Sequence, residues 1–354
     1  MRVAVVGASG NVGTALLRRF ADDATVTSVV GIVRRPPPAA VVAARDLPAP
    51  YDVARWVGCD LAAQESDDAV VHRLAAAFAG ADAVVHLAWA HRPSHDRAGL
   101  HRANVHGARR VADAAVLAGV PHLVVASAGA AYSPADDDEP RTESWPTGGH
   151  PDSAFSADKV AVEGALDDVE RLHPGLVVTR VRSGWVAQRA AGRQVMDTYV
   201  GRLGALTRLV PGRPVPLPRG LRLQAVHADD LAAAYREIVV RRHGGAFNIA
   251  APDLVREDDI AALVGTARVR DLPPGLVRAA VETAWRARIA PAPGSWIGLA
   301  RSVPVLDTAR ARRLLSWTPL HSSASAVAEL VAGMIGADGT ASPPLRPGRG
   351  VPPR

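Results

Sequence analysis

The stretch MRVAVVGASGNVGTALLRRF, Met1 to Phe20, decides the fold. VAVV, Val3 to Val6, has the length and β-branched content of a buried strand, and TALLRRF spaces its apolar residues as a helix does. Between them stand Gly7, Gly10 and Gly13 in GASGNVG. In a strand–turn–helix context such glycines let the backbone turn sharply, approach a pyrophosphate and pack helix on strand, with the helix N-terminus facing the phosphates. The predicted dinucleotide cradle is Gly7, Ser9, Gly10, Asn11, Val12 and Gly13.

Outward from this unit the same alternation continues. VTSVVGIV, DAVVHLAWA and HLVVASAGAA are apolar runs separated by alanine-rich amphipathic segments, which argues for a parallel sheet flanked by helices. A polar loop then leads to a helix predicted from near Ser153 to about Leu172. LVVTRVRSG and RLQAVHAD read as further strands, and VPGRPVPLPRG as an irregular excursion. Helical patterns follow around Asp258 to Thr266, Pro274 to Ile289 and Thr308 to Leu315. The fold class is therefore α/β, a Rossmann-like doubly wound parallel sheet with a smaller C-terminal substrate-binding region. The expected division is a nucleotide-binding domain over residues 1–178 and a mainly substrate-binding region over 179–336. Segments near 179–184 and 225–250 are expected to return to the core. Residues 337–354 carry few apolar groups and are expected to be a disordered tail.

Composition narrows the function classes. The chain has 354 residues, 48% hydrophobic and 21% charged, enough for a substantial core. Its net charge of +6 is spread over dispersed arginines, with no basic stripe interleaved with aromatics, so no nucleic-acid partner is expected. No apolar run has bilayer length, and the single cysteine, Cys59, permits no internal disulfide. The reading is a cytoplasmic protein with a small-molecule substrate, and a homodimer is left open. Of the 41 basic residues only Lys159 is lysine, so an ammonium, a compact donor whose pKa can move, stands at one place alone.

At the end of the second strand a carboxylate would accept the adenosine ribose hydroxyls, but GIVRRPP places Val33, Arg34 and Arg35 there. A guanidinium pair favours a 2′-phosphate, so NADP(H) is expected over NAD(H).

Further residues resemble the extended short-chain dehydrogenase/reductases, the NAD-dependent epimerase/dehydratase family. Asp60 and Leu61 in GCDL resemble its adenine-side pair. His86 to Ala88 in VVHLAW resemble its fourth-strand motif, which implies that Leu87, Ala88 and Trp89 border the cofactor, and Asn104 in ANVHG resembles its helix asparagine. VHADDLA (His227 to Leu231) and FNIA (Phe247 to Ala250) match later motifs, so that the resemblance runs to about residue 335. It implies that Lys159 and Ser183 also face the cofactor.

Three departures cluster around one point. Where the family carries two hydroxyl residues followed by a tyrosine, this chain reads VVASAGAAYSP. Tyr132 sets the register, with Ser127 as the first hydroxyl and Ala128 at the catalytic position. In DSAFSADK, Phe155 replaces the tyrosine of YxxxK and Lys159 remains. The family's RPG reads RSG at Arg182 to Gly184.

In the mechanism that the resemblance implies, the tyrosine exchanges a proton with the substrate oxygen, assisted by lysine and serine. A phenyl ring cannot, and losing a positioned general acid typically costs about a hundred- to ten-thousandfold. The catalytic candidates are Lys159, Tyr132 and Ser127. Four readings follow: hydride transfer to an activated C=C or C=N bond, non-redox cyclisation, isomerisation or elimination on a nucleotide scaffold, nucleotide sensing without catalysis, and ordinary redox work with a substitute for the tyrosine. The retained cradle favours the first, acting on a bulky organic molecule in a tailoring step of secondary metabolism. Ser153 and Ser156 are expected as a cap or surface groups. His86 reads as a satisfied buried histidine, Trp89 as a cavity wall and Asp136 to Glu139 as a solvated loop. Pro93 interrupts any helix that would align His91 and His95 with Asp96, so no metal site is expected.

Overall fold

A computed structural model describes residues 1–201, 215–263 and 269–347. Its strands are β1 (Arg2–Val6), β2 (Ser28–Val33), β3 (Ala54–Gly58), β4 (Ala83–His86), β5 (His122–Ala126), β6 (Val177–Ser183), β7 (Trp185–Ala187), β8 (Val215–Pro218), β9 (Ala225–His227), β10 (Gly245–Ile249) and β11 (Val269–Leu272). Seven form one parallel sheet in the order β10-β6-β5-β4-β1-β2-β3.

The sheet is buried on both faces, as a parallel sheet requires. Side chains of β1 alternate, Val3 and Val5 to one layer, Ala4 and Val6 to the other. The first layer packs Leu16, Leu17 and Phe20 of helix Asn11–Ala21 with Leu231, Tyr235 and Ile238 of helix Ala228–Arg241. The second holds Val70, Leu74 and Phe78 with Val111, Val162 and Leu166. Each such side chain contributes about 1.5–3 kcal/mol by leaving water. Strand order reverses between β1 and β4, which opens a crevice at their carboxyl ends.

Three expectations change, and one strand goes beyond the sequence reading. ARWVG forms β3, an edge strand that is only partly buried, so its apolar pattern is weak. In VPGRPVPLPRG, Val215–Pro218 is not irregular but pairs with β11 in a separate two-stranded sheet, where prolines are tolerated because the strand has an unpaired side. Residues 210–214 of that stretch, 264–266 of the helix expected from Asp258, and 348–354 of the tail lie outside the described residues. The tail is not disordered from residue 337: Leu345 is fully buried with Ala187, Ala191, Ala326 and Leu330, one leucine anchoring an otherwise polar segment. Ser156 is neither cap nor surface. It is fully buried, donating to the Ala130 carbonyl and accepting the His150 N–H at 2.6 Å. Ser153 caps helix Ala154–Leu172 by accepting the Ser156 N–H at 3.2 Å.

Candidate functional site

The glycine loop is built by sterics. Gly7 has φ +90°, and a Cβ there would lie 2.6 Å from the Ala88 nitrogen. A Cβ on Gly13 would lie 2.3 Å from the Gly7 carbonyl oxygen, so β1, its helix and the chain after β4 close on one another only through glycine. Gly10 caps the Asn11–Ala21 helix and meets nothing nearer than the Gly7 oxygen at 3.4 Å. This is a cradle with an open face at a helix N-terminus, and it fits a pyrophosphate. Val12 is half-buried beside it. Asn11 is engaged with the C-terminal half: its Nδ2 donates to the Val186 carbonyl at 3.3 Å and its Oδ1 accepts from Gln188 at 2.5 Å. The Ser9 carbonyl accepts from Ser342.

Arg34 and Arg35 follow β2 and are exposed, without an ion pair among the described residues. Asp60 is also exposed and accepts the Ala62 N–H at 3.0 Å, while the buried Leu61 presents its carbonyl to Arg110 at 2.7 Å. Asn104 is buried, and its Oδ1 accepts the Ala90 N–H at 2.7 Å, fixing the Leu87–Ala90 segment that borders the crevice. Ser183 ends β6 opposite Ile249 of β10.

Lys159 projects from helix Ala154–Leu172 and is 5% exposed. Its Nζ donates to the Ala126 carbonyl at 2.8 Å and stands 3.5 Å from the centre of the Trp89 ring. Burial lowers its pKa to about 7, although Glu163 and Asp158 favour the ammonium. Phe155, one helical turn earlier, lies in an aromatic cluster. Its ring centroid is 5.7 Å from Trp89, 5.7 Å from His91 and 5.2 Å from Trp296. Tyr199 closes the group 5.2 Å from Trp296 and 5.6 Å from His91, and its hydroxyl is hydrogen-bonded to His91 Nε2. Burial, and secondarily Lys159, lower the His91 pKa to about 4, and burial raises that of Tyr199. A cavity of about 380 Å³ adjoins the cluster, walled by Trp89, Phe155, Trp285 and Trp296 and by Arg97, Asp158, Arg278 and Glu282.

Two candidates are drawn away from this cavity. Ser127 donates to Glu163 at 2.5 Å, and Glu163 is held by Arg182 through two bonds of 2.9 and 2.7 Å. The Tyr132 hydroxyl donates to Asn248 at 2.7 Å and accepts from Arg182 at 3.0 Å, and burial pushes its pKa up to about 12. Tyr132 thus braces β10 and β6 and is removed from the proton-donor candidates. The reason is the Arg182–Glu163 pair, which engages both hydroxyls. His86 is not satisfied as expected, because its buried Nδ1 has no protein partner among the described residues. Burial, and secondarily Lys159, lower its pKa to about 3.

His91, His95 and Asp96 part company, His95 stacking on Trp285 at 3.9 Å and Asp96 capping helix Arg97–His101. His227, His321 and Glu329 do converge, with one ligand atom from each lying within 4.8 Å of the others. His227 Nδ1 accepts the Asp229 N–H at 3.2 Å, which leaves its proton on Nε2, 3.4 Å from Glu329. His227 thereby caps helix Ala228–Arg241, while His321 Nδ1 is bonded to Asp230 at 3.0 Å.

A family model described as "NAD dependent epimerase/dehydratase family" matches residues 3–250. The chain belongs to that family. Among curated relatives, an L-arabinose 1-dehydrogenase (NAD(P)(+)) of Haloferax volcanii is 30% identical over 206 residues, 55% of this chain and 71% of its own length. Among solved structures of this family's fold, MoeE5 with UDP-glucuronic acid and NAD superposes with TM-score 0.66 at 21% identity, covering 95% of this chain and 99% of that one. The UDP-glucose 4-epimerase of Thermus thermophilus with NAD gives 0.66 at 20% identity, covering 95% and 100%. Family membership makes this an enzyme class with NAD-linked chemistry, and the glycine cradle is the part of the site that follows the family pattern.

Trp285, Trp296 and Tyr199 escaped the sequence reading. They lie 130, 141 and 44 residues beyond Phe155, and no local pattern joins them to it.

Proposed function

We propose that this family member transfers hydride between a nicotinamide dinucleotide and a bulky, flat organic molecule. The observation that carries the proposal is the coincidence of an intact cradle with a phenyl ring at position 155, above which Lys159 keeps its place. When bound, the nucleotide supplies or removes the hydride. Lys159 positions the nucleotide ribose and contributes positive charge, and Trp89, Phe155 and Trp296 exclude water and stack on the substrate. With no hydroxyl at 128 or 155, the natural acceptor is one already polarised, a C=N or conjugated C=C bond. A tailoring step in secondary metabolism suits such a substrate. A sugar is the second reading, favoured by the arabinose dehydrogenase likeness and by Arg97, Asp158 and Glu282 in the cavity wall. The cytoplasm suits the single free Cys59.

Deuterium transfer from NADPH labelled at the nicotinamide, read by mass spectrometry of the product, tests this. A product that is an isomer or water-loss species of its substrate, with no deuterium and no nucleotide consumed, would replace it by the non-redox reading. NADP(H) is the proposed form, because Arg34 and Arg35, exposed and without an ion pair among the described residues, suit a 2′-phosphate. Arg34→Asp with Arg35→Ala is expected to weaken NADPH about tenfold or more and NADH much less. Equal dissociation constants for the two in the wild type would refute the preference.

A further inference from the structure

We infer that Tyr199, positioned by His91, supplies the proton-donating hydroxyl that this chain lacks at position 155. The inference rests on the hydride-transfer reading and widens it from activated acceptors to ketones. The geometry comes first. The Tyr199 hydroxyl meets His91 Nε2, and the His91 ring stands edge-on to Phe155 at 5.7 Å with an interplanar angle of 84°. The phenol therefore enters from the C-terminal half and stands one imidazole away from Phe155. Tyr199 is set there by a π-helical turn, Met196–Val200, and is flanked by Trp296, which also touches Phe155.

Two neighbouring hydroxyl protons are committed elsewhere, that of Ser127 to Glu163 and that of Tyr132 to Asn248. Ser153 and Ser94 accept the Ser156 and Asp96 N–H groups. His91 suits the positioning role. Burial and the charge of Lys159 keep it neutral, and the proposed role uses the tautomer with its proton on Nε2, which donates to the phenol oxygen and leaves the phenol proton for the substrate. Burial likewise keeps Tyr199 protonated at neutral pH.

The step balances as follows. When bound, the reduced nicotinamide would supply the hydride with its electron pair to the ketone carbon, the C=O π pair would move to oxygen, and Tyr199 would give that oxygen its proton. The tyrosinate left behind is held by His91 Nε2–H, and water restores its proton. The ketone is reduced to an alcohol and the dinucleotide is oxidised.

Two probes separate this from the hydride reading. The N-methyl dihydroisoquinolinium cation accepts a hydride and needs no proton, whereas α-tetralone needs both. With deuterated NADPH, Tyr199→Phe is expected to lower the ratio of tetralone to iminium rates about a hundredfold or more, and His91→Phe about tenfold. In the nucleotide-free protein, the same Tyr199→Phe change is expected to move the nitrogen-15 resonance of His91 Nε2. An unchanged ratio, an unmoved resonance, or a wild type that reduces the iminium but not the ketone overturns the role of Tyr199 and leaves the hydride reading standing. Absence of deuterium from both products overturns the hydride reading itself, and this inference with it.

Discussion

Lys159 holds a position where its charge state is decided by burial. Its ordinary pKa of 10.5 falls to about 7 in the folded chain. Between those values the unfolded state binds more protons, so the stability difference between the wild type and Lys159→Met rises with pH from about 7 to about 10.5 and is flat outside that window. The full change is bounded by about 5 kcal/mol. Thermal midpoints of the two nucleotide-free proteins across this range check it, and a constant difference would mean that the ammonium keeps its proton. Phe155 defines the second residue-scale expectation. In the Tyr199→Phe background, Phe155→Tyr with Ala128→Ser restores both missing hydroxyls and is expected to raise α-tetralone reduction about a hundredfold. An unchanged rate would show that the Trp89–His91–Trp296 surround holds the new phenol out of reach.

Elements are tied together behind the cavity by one buried ion pair. Glu163 on helix Ala154–Leu172 and Arg182 on β6 link to Ser127 after β5 and, through Tyr132, to Asn248 on β10. Glu163 would rise in pKa from burial alone, but Arg182, Ser127 and Arg180 hold it below its usual value. Glu163→Leu leaves Arg182 and Arg180 without their shared carboxylate inside the protein and is expected to cost about 3–5 kcal/mol, read from the urea midpoint. Glu163→Gln, which keeps an acceptor for Arg182 and Ser127, is expected to cost less. Equal costs for the two would mean that packing rather than charge pairing dominates. The helix itself was legible, its cap Ser153 and its end Leu172 following from local signals. The pair was not, because Glu163 and Arg182 sit in separate elements whose registry only the sheet sets.

At the scale of the whole molecule, the C-terminal segment returns to the nucleotide cradle. Ser342 donates to the Ser9 carbonyl, Thr340 shares a 2.6 Å bond with Tyr51, and Tyr51 meets Thr14 of the first helix at 3.3 Å. Leu345 anchors this strap in the cluster of Ala187, Ala191, Ala326 and Leu330. Leu345→Ala is expected to cost about 2–5 kcal/mol in denaturant unfolding and to weaken NADPH binding, since the loop at Ser9 loses its support. Unaltered NADPH affinity in a clearly destabilised Leu345→Ala protein would separate the strap from the cradle. Among the described residues no helix is long and apolar enough to cross a bilayer.

Much of the architecture was already written in the linear order of residues. The parallel sheet and the glycine cradle depend on periodicity and on backbone sterics within a few residues, as at Gly7 and Gly13, and those act before any distant contact forms. The departures at Ala128 and Phe155 were visible for the same reason, since they stand at fixed offsets from Tyr132 and Lys159. The edge strand β3, the paired prolines of β8 and the folded strap around Leu345 were decided by tertiary structure, because each is stabilised by partners far along the chain. The same holds for the site's chemistry. Tyr199 meets His91 across 108 residues, and Arg182 withdraws Ser127 and Tyr132 from the cavity. Which hydroxyl is free to act is a property of packing and hydrogen-bond competition in three dimensions, not of any local motif.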